Sequence, residues 1–234
     1  PVMRFGLGEH TQLDLSFEHF RDDRVADRGV PSLNGRPIDV DPSTFFGSPE
    51  LSPVWARVNA FDAALVHDFG NGAELRNHFR WADYDKFYQN VFASGTVMDP
   101  VAGLQVTLSA YNNLTTRRNW LNQTDLVFDT ATGNIRHRLL VGAELGRQDT
   151  DNLRMNGAFP AGNRVTLANA RFTGPVVFTP NRENSSQADT FAVYAQDQIE
   201  FSPAWMAVVG VRYDRVRIDM DDITRAQQIS QGYG

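Results

Sequence analysis

The residues best suited to chemistry are arginines and aromatic residues that recur in and beside the long polar stretches of the chain. Guanidinium groups offer fixed donors to oxyanions, and aromatic rings offer flat contact area at little cost in entropy. Such residues suit an anionic, aromatic-rich ligand. The candidate ligand-binding residues are Arg28, Phe45, Phe46, Tyr84, Tyr88, Arg117, Arg118, Arg154 and Phe159, and Trp55, Phe92 and Phe172 belong to the same group. The alternative is that loop arginines keep the surface soluble and loop aromatics pack beneath their own loops.

The motifs of common enzymes do not occur in the sequence. We find no Gly-rich phosphate loop, no His-Glu-x-x-His zinc pattern and no nucleophile elbow. The five histidines are scattered without the spacing of metal ligands, so we predict no metal site. Asp219, Asp221 and Asp222 could hold a divalent cation, but we expect a solvated loop there. We therefore predict that the protein is not an enzyme, has no catalytic residues and uses no cofactor.

Composition narrows the class of protein further. The net charge of -6 and the pI near 5.3 argue against a nucleic-acid partner, which would select a basic surface. The absence of cysteine is compatible with export through an oxidising periplasm. Mean hydropathy is -0.38, and no apolar run approaches the roughly 18 residues of a membrane helix, which excludes a helical membrane protein. A membrane β-barrel remains possible, because its strands alternate apolar and polar residues.

Alternation with a period of two predicts strands joined by connections of two kinds. The eight predicted strands lie roughly at 3 to 8, 12 to 22, 55 to 69, 73 to 88, 111 to 128, 134 to 149, 189 to 201 and 205 to 220. Short turns contain residues 9 to 11, 70 to 72, 130 to 133 and 202 to 204, and long connections span about 23 to 54, 89 to 110 and 150 to 188. Short turns on one side and long loops on the other are typical of an outer-membrane barrel, whereas a soluble β-sandwich is the alternative.

The strand 73 to 88 shows the alternation most clearly. Its faces carry Leu75, Phe79 and Trp81 on one side and Arg76, His78 and Arg80 on the other. A packed core would not accept such a row of polar groups unpaired, whereas a watery lumen would. We therefore predict that the apolar row contacts lipid and the polar row faces the lumen. The strand 189 to 201 stays unassigned, because Phe191 and Val193 share their parity with Asp197.

Several strings in the chain resemble one family. They are residues 27 to 31, 35 to 37 and 45 to 47, the strand start 137 to 144, and residues 194 to 198 followed by Trp205 and 210 to 214. Together they are similar to the TonB-dependent siderophore receptors, with the last hairpin as the most specific part. The resemblance covers nearly the whole chain but contains no single diagnostic motif.

The resemblance implies an all-β fold, an antiparallel transmembrane β-barrel with short periplasmic turns and long extracellular loops. Residues 1 to 234 would supply about eight of the 22 strands of such a barrel in the bacterial outer membrane. Pro1 is no natural start, so we expect an excerpt that lacks the plug domain and the remaining strands. Implied partners are a ferric siderophore, outer-membrane lipid, the receptor's own plug domain and, through absent N-terminal parts, the TonB complex. Iron would arrive as part of the siderophore.

Arg117 and Arg118 are the strongest single candidates for ligand contact. They lie just beyond Trp120 on the side of the long loops, and alternation requires one of them to point inward. Two other functions remain open. A passive porin would share the strand pattern without a plug, and a soluble β-rich carbohydrate-active domain would use loop carboxylates such as Glu183 and Asp189.

Overall fold

The computed structural model describes all 234 residues and consists of strands, turns and loops. The twelve strands are β1 (Val2–Gly6), β2 (Thr11–Val25), β3 (Ser32–Leu33), β4 (Arg36–Pro37), β5 (Pro53–Asp68), β6 (Ala73–Asp99), β7 (Gly103–Thr132), β8 (Ile135–Ala158), β9 (Arg164–Thr166), β10 (Val177–Ser202), β11 (Trp205–Asp222) and β12 (Gln227–Tyr233). No helix in the structure is long and apolar enough to cross a membrane.

Nine of the strands form a continuous antiparallel sheet in the order β1-β2-β5-β6-β7-β8-β10-β11-β12. The short strand β9 pairs with β7 off this path, and β3 pairs with β4 in a separate hairpin. The predicted all-β antiparallel architecture is confirmed, and each of the eight predicted strands is present. The sequence analysis missed β12 and the short strands β3, β4 and β9. The edges of the sheet are β1 and β12.

Four tight turns lie together at the same end of the strands, as predicted. They join β1 to β2, β5 to β6, β7 to β8 and β10 to β11. In the turn after β5, the carboxylate of Asp68 accepts a hydrogen bond from the backbone N–H of Gly70 at 2.7 Å. Gly70 and Gly72 adopt positive φ angles of 73° and 85°, which favour glycine. Because neighbouring strands are antiparallel, all other connections lie at the opposite end of the strands, which we call the loop edge.

The prediction of a long loop at residues 89 to 110 is wrong. β6 continues to Asp99 and β7 begins at Gly103, so the two strands form one hairpin that projects beyond its neighbours. The Asp99 carboxylate closes the tip by accepting hydrogen bonds from the backbone N–H groups of Val101 and Ala102 at 2.9 and 2.8 Å. The prediction failed because Asn90, Gly95 and their neighbours break the apolar alternation that identified the strand below them.

The other two loops are shorter than the predicted boundaries. The first comprises residues 26 to 52 and includes the β3–β4 hairpin. The second comprises residues 159 to 176, because β8 extends to Ala158 and β10 begins at Val177, and it includes β9. Both loops pack against the projecting hairpin, where the main buried cluster of the protein lies. That cluster consists of Ile38, Phe46, Val91, Val106, Leu108, Ala110, Val165 and Phe172.

The two faces of the sheet have the predicted character in β5 and β6. Phe61 lies opposite Trp81, and Asp62 lies opposite Arg80 on the other face. The Asp62 carboxylate accepts a hydrogen bond from Arg80 at 3.0 Å, and the Nε2 atom of His78 is 3.3 Å from it. We call the face with Asp62 and Arg80 the polar face, and the face with Phe61 and Trp81 the apolar face.

The register also assigns the two faces of the predicted strand 189 to 201, which the sequence analysis left unassigned. Tyr194 lies on the polar face and donates a hydrogen bond to Asp125. Val193 and Asp197 therefore lie on the apolar face. There the Asp197 carboxylate lies 2.8 Å from the Nδ1 atom of His137, within hydrogen-bond distance. One oxygen of this carboxylate therefore has a hydrogen-bond partner in an otherwise apolar row.

An aromatic row crosses the apolar face. Phe17, Phe61, Trp81 and Trp120 are successive cross-strand neighbours in β2, β5, β6 and β7. Each ring is between 36% and 45% exposed, so no part of this chain covers the row. In later strands the equivalent aromatics lie farther from the loop edge, because Phe191 stands two residues beyond the level of the row and Tyr213 two residues farther still. Such a stepwise shift is expected in a sheet whose strands tilt and stagger as in a barrel.

Candidate ligand-binding site

The loop of residues 26 to 52 attaches to the free edge of β6. β6 extends beyond the end of β5, and there groups of the loop take the place of a neighbouring strand. The side-chain amide of Asn90 donates to the carbonyl of Ala26 at 2.9 Å, and the backbone N–H of Val91 donates to the hydroxyl of Ser52 at 3.0 Å. Because the same loop residues are joined by the Ala26 N–H to Ser52 carbonyl bond at 2.8 Å, the loop base is fixed.

This attachment places Arg28 over aromatic side chains on the polar face. Its guanidinium carbon lies 3.8 Å from the ring centroid of Phe92, and 5.8 and 5.1 Å from those of Tyr88 and Tyr111. The guanidinium also donates hydrogen bonds to both tyrosine hydroxyls, at 3.1 Å to Tyr88. On the other side of Tyr111, the guanidinium carbon of Arg154 lies 4.5 Å from the ring centroid. We call these five residues the arginine–aromatic cluster.

The charges of the cluster are not compensated by carboxylates. Neither Arg28 nor Arg154 takes part in an ion pair of this chain, whereas most arginines of the sheet do. Partial burial lowers the pKa of Arg28, but hydrogen bonding and Coulomb attraction to Tyr88 and Tyr111 raise this pKa by more, so the net shift is upward. Both arginines are exposed, and the aromatic rings are half-buried beneath them. The cluster therefore offers two accessible cations on a rigid aromatic base.

Arg117 and Tyr84 lie on the same polar face, farther from the loop edge. They are direct cross-strand neighbours, and the Nε atom of Arg117 donates to the hydroxyl of Thr150 at 3.1 Å. Arg118 points to the apolar face and lies 3.4 Å from the Asp83 carboxylate. The register thus decides which member of the arginine pair faces the cluster, and Arg118 is not brought to it.

The predicted loop phenylalanines mostly serve packing. Phe46 is 3% exposed in the buried cluster, and Phe159 packs edge-on against Phe172 with ring centroids 5.2 Å apart. Phe45 is half-buried beside Gly47. The structure therefore places Phe46 and Phe159 away from the arginine–aromatic cluster. Their burial matches the alternative that loop aromatics pack beneath their own loops.

Tyr111 is the member of the cluster that the sequence analysis did not single out. Tyr111 and Arg117 are separated by an even number of residues in β7, so their side chains lie on the same face, which was predictable from the sequence. Its position beside Tyr88 was not, because the two residues are far apart in sequence and only the strand register joins them.

The acidic residues near the end of β11 do not converge. Asp219 forms an ion pair with Arg217 at 2.9 Å. Asp222 is buried, lies on the opposite face from Asp219 and Asp221, and is 3.7 Å from Arg225. Alternation therefore separates the three carboxylates between the two faces.

Comparison with known proteins defines the class of this chain. The family described as TonB dependent receptor-like, beta-barrel matches residues 4–233, so the chain belongs to this family of outer-membrane transport receptors. The chain is 29% identical over 229 residues to the metal-pseudopaline receptor CntO of Pseudomonas aeruginosa, covering 94% of the chain and 31% of that protein. It is 26% identical over 246 residues to the catecholate siderophore receptor Fiu of Escherichia coli K12, covering 96% of the chain and 32% of Fiu.

Solved structures show the same fold. The siderophore receptor PiuA of Acinetobacter baumannii superimposes with a TM-score of 0.77 at 20% identity, over 99% of this chain and 37% of PiuA. The chain therefore spans about a third of the length of the proteins it resembles. The fold class and the outer-membrane location predicted from the sequence are confirmed, and the family is not one of enzymes.

Proposed function

We propose that the full-length protein binds a ferric siderophore at the outer surface of the cell and imports it with energy from TonB. The names of its relatives support this proposal, since CntO is a metal-pseudopaline receptor and Fiu is a catecholate siderophore receptor. A plug domain and a TonB-contacting segment would belong to parts of the protein outside this chain. Iron would enter as the cargo of the siderophore.

The observation that carries the proposal is the arginine–aromatic cluster at the loop edge of the polar face. Two guanidinium groups without carboxylate partners lie over the rings of Tyr88, Phe92 and Tyr111. Siderophore chelates with anionic oxygens and flat aromatic groups could satisfy both features. Arg117 and Tyr84 lie along the path from this cluster toward the turns, on the same face.

The orientation of the sheet follows from the two solvents that a barrel meets. We infer that the apolar face contacts lipid, and that the polar face lines the lumen and contacts the plug. The aromatic row would then mark the outer boundary of the lipid. A soluble carbohydrate-active domain is not favoured, because it would leave this row in water. The family match also disfavours a passive porin.

Topology can be tested with epitope tags in the full-length receptor on intact cells. Tags inserted at Gly35, at Val101 and at Gly162 should all be labelled by antibody, because all three lie at the loop edge. A tag at Asn71, in a tight turn at the opposite edge, should be labelled only after permeabilisation. Mixed labelling among the three loop-edge tags would contradict the strand order.

Ligand affinity tests the cluster directly. A panel of ferric catecholate, hydroxamate and hydroxycarboxylate chelates first identifies the one that the purified full-length receptor binds. We expect Arg28→Gln and Arg154→Gln each to weaken its affinity about tenfold or more, because charge-assisted hydrogen bonds contribute roughly 1.5 to 3 kcal/mol. The matched control is Arg57→Gln, since Arg57 also stacks on an aromatic ring, that of Trp55, but lies on the apolar face.

The pair Arg117 and Arg118 extends the same experiment along the sheet. Arg117→Ala should weaken binding, and Arg118→Ala should not, because their side chains point to opposite faces. If the cluster variants and Arg117→Ala all bound the chelate like the unaltered receptor, the site would lie elsewhere.

A further inference from the structure

Charged side chains between the aromatic row and the level of Tyr111 are sorted between the two faces of the sheet. On the polar face, strands β6, β7, β8 and β10 carry cations and no carboxylate in this segment, namely Lys86, Arg117, Arg154 and Arg182. On the apolar face, the same segment carries the cation Arg118 and the carboxylates of Asp83, Asp85, Asp149, Asp151 and Glu183. Alternation therefore directs most cations to one face and all carboxylates to the other.

The ion pairs of this segment follow the same division. On the apolar face, Arg118 lies 3.4 Å from the carboxylate of Asp83. None of the polar-face cations takes part in an ion pair of the chain, and their one side-chain hydrogen bond joins Arg117 to the hydroxyl of Thr150. Each of the four strands has a hydrogen-bonded neighbour on both sides, so these cations lie inside the sheet and away from its edges.

Arg154 and Arg182 place two like charges side by side. They are direct cross-strand neighbours in β8 and β10, and both are exposed. Like charges directly opposite each other destabilise an antiparallel pair of strands. The guanidinium carbon of Arg154 lies 4.5 Å from the ring centroid of Tyr111, so this arginine also belongs to the base of the arginine–aromatic cluster. An anion placed over both guanidinium groups would remove the repulsion and accept charge-assisted hydrogen bonds from both.

The positive charge of this face bears on the charge of the ligand. Lys86 lies in β6 between Tyr84 and Tyr88, two residues from each and on the same face. Unpaired cations therefore continue along the polar face from Arg154 to Arg117. A ferric tris-catecholate is a trianion and would compensate them, whereas a ferric tris-hydroxamate is electrically neutral and would not.

We propose that this face selects ferric chelates by net charge, and that its ligand is a multiply anionic chelate of the tris-catecholate type held between Arg154 and Arg182. Lys86 attracts the same anion from the neighbouring part of the face. This charge selection rests on the proposed function, and it adds Arg182 and Lys86 to the residues that bind the chelate.

Two ferric chelates built on the same tripodal scaffold test the selection by charge. One carries catecholate groups and the other N-aryl hydroxamate groups, so both present aromatic rings but they differ in net charge. We expect the purified full-length receptor to bind the trianion at least about tenfold more tightly than the neutral chelate. This preference should shrink as sodium chloride is added, because salt screens exposed charges. Quenching of tryptophan fluorescence measures both affinities.

The substitution Arg182→Gln isolates the added contact. It should weaken binding of the trianion about tenfold and leave binding of the neutral chelate unchanged, whereas Arg182→Lys keeps the charge and should retain most of the affinity. Because Arg182→Gln also relieves the repulsion with Arg154, the melting temperature of the receptor should not fall. The matched control is Arg118→Gln, which removes a paired cation from the opposite face and should change neither affinity.

The outcomes separate the charge selection from the proposed import function. Equal affinities of the unaltered receptor for the two chelates would overturn the selection by charge and leave the import function standing. A lower melting temperature of Arg182→Gln with unchanged affinity for the trianion would show that Arg182 pairs with a carboxylate elsewhere in the receptor, which would overturn its role in binding. If the receptor bound no ferric chelate of any charge, the import function would fail together with the selection.

Discussion

Replacing Phe79 with arginine is expected to destabilise the full-length receptor in a lipid bilayer by about 2 to 4 kcal/mol. Phe79 lies on the apolar face between Ala63 and Asn122, inside the band bounded by the aromatic row. Its nearest polar neighbour is already engaged, because Asn122 and Asn77 exchange hydrogen bonds at 3.1 and 3.2 Å. A guanidinium at position 79 would therefore be left in hydrocarbon without a partner.

The matched control is His78→Arg, one residue away on the polar face. There the new guanidinium would stand beside the carboxylate of Asp62, which is 3.3 Å from the present imidazole. We expect its free energy of unfolding to stay within about 0.5 kcal/mol of the unaltered receptor. Urea unfolding in vesicles of neutral lipid measures both variants. Equal destabilisation by the two substitutions would mean that the faces are assigned wrongly.

The second large effect is expected at Gly47, which holds the two loops against the projecting hairpin. A Cβ atom at this position would overlap the carbonyl group of Val91, and the φ angle of 149° is one that side chains rarely adopt. Gly47 also accepts a hydrogen bond from the Phe172 N–H at 2.7 Å and donates one to the Ala170 carbonyl at 3.3 Å. Gly47→Ala should therefore separate the loops 26 to 52 and 159 to 176 from the hairpin.

Such a separation would move Arg28 away from its aromatic partners and leave the membrane-level sheet intact. Backbone strain of roughly 1 to 3 kcal/mol must be relieved by this separation. We expect rapid protease cleavage within both loops on intact cells, and an affinity for the ferric chelate reduced by tenfold or more. Gly95→Ala is the control on the same hairpin, where a Cβ meets nothing within 4 Å. Protease resistance of Gly47→Ala equal to that of Gly95→Ala would contradict this role.

The buried cluster explains why the loops would move together. Phe46 from the first loop and Phe172 from the second pack on Val91, Val106 and Leu108 of the hairpin. The two loops and the hairpin tip thus share one small core outside the membrane-level sheet. A change at their common contact should be transmitted to both loops because neither has another core of its own.

The sequence predicted the elements whose physics is local. Apolar and polar residues alternate along β6 because each face meets a different solvent, so Phe79 and Arg80 could be assigned to opposite faces without coordinates. Turn residues such as Gly70 and Gly72 likewise have conformational requirements that are visible in the sequence. Residues 89 to 99 of β6 were not predicted as strand. Loops and not lipid cover this part of β6, so no regular alternation is required there.

Alternation by itself determined that this chain is a series of antiparallel strands with one polar and one apolar face, and that Arg117 or Arg118 must point inward. The tertiary structure decided which of the two does, and which distant candidates meet. Arg28 reaches Tyr88 and Tyr111 across 60 and 83 residues of sequence, and Arg118 turns to Asp83 instead. Faces follow from neighbours along the chain, whereas register and loop docking depend on pairings between remote segments, which a local pattern does not specify.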